Sequence, residues 1–122
     1  MPISAKLDRA AGIWELTTGD SVSLQEIVDL TLENDWEGHR LLLWDLRAIR
    51  EAPQSIEELR QAAEFVRTTR EIFGDGRVAI LVTSDLDFGL ARMFQAFADG
   101  SGIAYEVFRD YDAARAWVAK GA

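Results

Sequence analysis

The chain has 122 residues, of which 48% are hydrophobic and 28% charged, and its 21 acids against 13 bases give a formal charge of −8. This length makes one domain, and this composition an ordinary globular one rather than a disordered chain. Lysine occurs only at Lys6 and Lys120 and cysteine not at all, which excludes clustered-lysine phosphate binding, disulfides and thiolate chemistry.

Nucleic acid and anionic membrane surfaces are therefore not expected partners. The first residues lack the charged-then-apolar pattern of a signal peptide. The longest apolar runs, such as Val78 to Val82, are too short to span a bilayer. A cytoplasmic protein without membrane insertion is expected.

Ile3, Ala5 and Leu7 alternate with Ser4, Lys6 and Asp8, the period of a half-buried strand. Asp8 to Gly12 reads as a turn, and Ile13 to Thr18 as the returning strand of a hairpin. Ser23-Leu24-Gln25-Glu26 is a capping box, with Val22 and Ile27 placed as a hydrophobic staple. The helix it opens is expected to run to about Trp36, with Glu37-Gly38 as its stop.

Leu41 to Leu46 is apolar on both faces and predicts a central strand covered by helices on each side. After Pro53-Gln54, Ser55-Ile56-Glu57-Glu58 predicts a second capped helix, with Ile56, Leu59, Ala63, Val66 and Phe73 inward. Val78 to Thr83 is a further doubly buried strand. Leu86, Leu90, Met93, Phe94 and Phe97 mark a third helix stripe, and Ile103 to Phe108 the last strand. Asp110 caps a final helix with Ala113, Ala114, Trp117 and Val118 inward. Alternating helices and buried strands predict an α/β fold of about five strands and four helices. Its hairpin supplies an antiparallel edge strand and the rest a parallel core.

No motif carries catalysis. Asp87-Phe88-Gly89 matches the metal-binding segment of protein kinases, yet no strand lysine, glycine-rich loop or His-Arg-Asp accompanies it. His39 is the only histidine, and nothing around it in sequence completes a base or a zinc site. Asp45 ends a central strand, where open α/β sheets collect ligands. A phosphoacceptor role there would want a lysine after a late strand, and none lies between Lys6 and Lys120. Ser55, Ser84 and Asp85 stand at helix starts, where capping explains at least two of them. No cofactor, metal or catalytic residue is assigned. Phe88 and Phe65 fall off their helix stripes, and exposure of Phe65 or Trp36 would favour a homodimer.

Three stretches carry a resemblance: Leu42 to Leu46, Arg77 to Thr83, and Ala91 to Phe94 continuing through Val107 to Asp110 and Trp117. In these and in element order the chain resembles the SpoIIAA-like branch of the STAS and SEC14-type (CRAL-TRIO) domains, mostly small bacterial proteins. The resemblance implies a non-enzymatic regulatory module like the anti-sigma-factor antagonists, which switch protein partners through one phosphorylated serine. Laid on this chain, that serine falls at Ser55 in Pro53-Gln54-Ser55-Ile56, where the family's aspartate and glycine are missing. The expected surface is the strand-end edge formed by Asp45, Ser55, Ser84, Asp85, Phe88 and Arg92, engaging a protein partner. Two alternatives stand beside it. One is a carrier of a small apolar ligand or lipid, suggested by the CRAL-TRIO kinship and the surplus of aromatics. The other is a small enzyme using strand-end carboxylates such as Asp45 and Asp85.

Overall fold

The computed structural model describes residues 3–51 and 55–122. Strands β1 (Ser4–Asp8) and β2 (Ile13–Thr17) form the hairpin, followed by α1 (Leu24–Glu33) and β3 (Leu41–Asp45). Then come α2 (Ile56–Arg67), α3 (Arg70–Phe73), β4 (Arg77–Leu81), α4 (Asp85–Phe97), β5 (Ala104–Phe108) and α5 (Tyr111–Ala119). The sheet order is β1-β2-β3-β4-β5, with β1 antiparallel at the edge and every other pair parallel. This is the expected mixed α/β sheet. Pro53 and Gln54 lie outside the described residues.

The hairpin turns at Gly12, whose φ of 70° is a left-handed conformation that glycine adopts without strain. Its amide donates to the Asp8 carbonyl at 2.8 Å. Ser23 builds the full capping box, with Glu26 N–H on Ser23 Oγ and the Glu26 carboxylate accepting from Ser23 N–H. Ser55, Ser84 and Asp110 cap α2, α4 and α5 in the same way, each accepting from the amide three residues on.

Three expectations need correcting. Helix α1 ends at Glu33, because Asn34 turns extended and frees Trp36 to fold into the core. The Trp36 indole N–H donates to the Thr31 carbonyl at 3.0 Å, and its own carbonyl accepts the Trp14 indole N–H at 3.1 Å. The second predicted helix breaks in two, so there are five helices rather than four. At the break the Thr68 and Thr69 hydroxyls bond back to the Phe65 and Val66 carbonyls, a local competition with helical continuation. Finally, Ile56, Leu86 and Ala113 are exposed rather than inward.

The monotonic strand order places α1, α2 and α4 on one face and α5 on the other, the outcome of crossovers of one hand. Under α5, Ile13, Leu43, Ala79, Leu81, Ala114 and Val118 are closed to solvent. The opposite face carries Trp14, Leu16, Leu42, Val78 and Ile80, joined by Trp36 and Phe73. Among the described residues no helix is long and apolar enough to cross a membrane.

Candidate functional site

The two faces of the sheet are filled differently. Helix α5 lies directly on β3 and β4, whereas α2 packs against α4 and α1 and stands off the strands beneath it. The space left between is a partly enclosed cavity of about 330 Å³. That is the size of a small-molecule site, well beyond the water-sized voids of a packed core.

Its floor is the apolar sheet face, with Trp44 and Ile80 central. Its roof is a second stripe on α2, in which Leu59, Ala62, Phe65 and Val66 face down. Phe65, off the predicted stripe, is half-buried because it belongs to this roof. Ala62 on α2 and Ala91 on α4 are short side chains at places where larger ones would close the space. The inner end is rigid: Trp36 meets Phe73 edge-on at 5.0 Å and Trp14 at 5.4 Å.

Tyr105 is the polar exception in the wall. Its ring stands edge-on to Phe94, and its backbone carbonyl accepts from Gln95 Nε2 at 2.6 Å. Desolvation raises the hydroxyl above the ordinary tyrosine range. That hydroxyl bonds to none of the described residues.

At the other end, the carboxyl edge of the parallel strands, the lining changes character. Ser21, Ser23, Glu26, Glu51, Glu58 and Asp87 surround the opening. Glu26 is committed in part to the α1 capping box. Among the described lining residues there is no arginine, lysine or histidine. A shallow groove between the first turns of α1 and α2 adjoins the opening and shares Ser23, Leu24 and Glu58 with it.

The six residues expected to form one surface are distributed over three places. Asp45 points to the α5 face, away from the cavity. It accepts from the Arg47 guanidinium at 2.9 and 3.0 Å and from the Arg47 amide at 3.1 Å. The Arg47 side chain holds the Asp45 carboxyl below its ordinary value against an opposing desolvation. Arg47 also lies over the Tyr111 ring, and the Tyr111 hydroxyl donates to Glu15 at 2.6 Å. Arg115 joins Glu15 to Asp8. Asp45 thus ends a polar chain that ties α5 to the first three strands.

Ser55 and Ser84 cap helices beside the cavity opening, Ser55 within the adjoining groove. Asp85, Phe88 and Arg92 lie on the outer flank of α4 by edge strand β5. There Arg109 bonds Asp85 at 2.6 Å and stacks over Phe88 at 4.6 Å, while Arg92 faces Glu106 at 4.0 Å. Asp87-Phe88-Gly89 lies inside α4, in helical conformation. Trp36 is buried and Phe65 faces the cavity, so neither shows the exposure that would favour a homodimer. Among the described residues no group of three or more His, Asp or Glu side chains is placed to hold a metal ion.

No family model, curated protein or solved structure matches the chain. What the geometry offers is an apolar chamber with an acidic opening. Sequence reasoning looked to the strand-end edge and did not locate the chamber behind it; its signal was the second stripe on α2, Leu59, Ala62, Phe65 and Val66.

Proposed function

We propose that this chain is a non-enzymatic binding module of the SpoIIAA-like kind whose ligand is a small, largely apolar molecule held between the sheet and α2. The single observation that carries this reading is the 330 Å³ apolar cavity under a helix that stands off its sheet. Burying an apolar molecule there gains roughly 25 cal/mol for each Å² removed from water, and the aromatic walls are preformed. Native mass spectrometry of the freshly purified protein, titrated with a short-chain alcohol, tests it. A one-to-one adduct is expected; a bare polypeptide at saturating alcohol rejects the reading.

A protein partner at the same edge is a second reading, favoured by Ile56 and Leu86. They are 53% and 63% exposed in the first turns of α2 and α4, beside the cavity opening. Replacing both with serine should abolish capture of such a partner with the melting temperature nearly unchanged. Unchanged capture removes this reading.

A further inference from the structure

Resting on the cavity reading, a narrower question is which apolar molecules the chamber admits. Four carboxylates, from Glu26, Glu51, Glu58 and Asp87, line the cavity at its opening, and no basic side chain lines it among the described residues. The chain as a whole carries a formal charge of −8, so no distant positive field offsets them. An anionic headgroup drawn to this rim would lose water and meet only like charge. A cationic headgroup would be paired there, and an uncharged one would be tolerated.

Within the wall, half-buried Tyr105 packs its ring against Phe94 and offers a hydroxyl that no described residue takes up. An occupant with a hydrogen-bonding atom can pair with that hydroxyl. The unpartnered hydroxyl is thus independent of the rim charges and also points to a ligand.

We propose that the cavity takes an uncharged or cationic apolar molecule bearing a hydrogen-bonding group, such as an alcohol or amine, and excludes carboxylate and phosphate amphiphiles. The rim acids set the selectivity, and Tyr105 contributes the hydrogen bond.

Three probes with the same eight-carbon chain separate the possibilities: 1-octanol, octylamine and octanoate, titrated at pH 7 with tryptophan emission as the readout. Trp36 and Trp44 both line the cavity and report its occupancy. One-to-one binding of octanol and octylamine is expected, with octanoate weaker by about tenfold or more. The double variant E51Q/D87N should narrow the gap between octanoate and octanol. Octanoate as tight as octanol in the wild-type protein, or a gap that the double variant leaves unchanged, overturns the charge selection and leaves the cavity reading standing. Saturable binding of none of the three overturns the cavity reading, and this inference with it.

Discussion

Tyr105 of β5 stands edge-on to Phe94 of α4, ring centroids 5.4 Å apart at 83°, and its hydroxyl is left without a hydrogen bond to any described residue. The pair closes one side of the chamber, with the aromatic contact doing the packing and the hydroxyl left to an occupant. Tyr105→Phe should therefore shift the free energy of unfolding by less than about 0.5 kcal/mol, because no protein hydrogen bond is lost. The same change should weaken octanol by about two- to tenfold, the worth of one neutral hydrogen bond. Denaturant unfolding and the tryptophan titration measure the two effects separately.

Ala62 and Ala63 are neighbours on α2 with opposite expectations. Ala62 faces the cavity, whereas Ala63 is 1% exposed in close packing. Ala62→Leu should fill space, raise stability by about 1 kcal/mol and abolish ligand binding. Ala63→Leu should overpack and cost about 1–3 kcal/mol. Urea melts of the two variants distinguish these signs.

Arg47 keeps Asp45 ionised to lower pH than an isolated aspartate, whose ordinary value is 3.8. A folded-state value depressed in this way adds stability that is fully present above the unfolded value. That stability is lost as pH falls through the folded one. Asp45→Asn should accordingly be less stable than the wild type at pH 7, and the difference should shrink steadily below about pH 4. Midpoints of urea unfolding from pH 7 to pH 2 check the crossing; a difference that stays constant over that range contradicts the pairing.

Ser23→Ala removes the hydroxyl that accepts from the Glu26 amide, leaves the Ser23 N–H on the Glu26 carboxylate in place, and should cost about 1 kcal/mol. Trp36→Ala should cost far more, about 3–5 kcal/mol, since the Trp36 side chain makes two aromatic contacts and donates one hydrogen bond at the inner end of the cavity. Thermal melts of the two variants should rank in that order.

What the sequence made legible was local or doubly redundant. Ser23, Ser84 and Asp110 announce helix starts because a cap is decided within four residues. The runs from Leu41 and Val78 announce buried strands because both of their faces are apolar. That same redundancy hid which way each residue points. In a strand apolar on both sides, parity alone does not assign Asp45 to the α5 face or Trp44 to the cavity. The end of α1 and the break between α2 and α3 were hidden for another reason. They depend on Trp36 meeting Trp14 and Phe73, remote in sequence, and on two threonines bonding backward. The cavity is the least local feature of all, because its existence depends on how far α2 stands from strands that are remote in sequence.

The most direct test of the cavity is a crystal structure of the protein soaked in 1-octanol. Density for the alkyl chain is expected between α2 and the sheet, bounded by Phe65 above and by Trp44 and Ile80 below. Phe65 and Val66 packed directly onto Trp44 and Ile80, with no room between them and no bound alcohol, would contradict it.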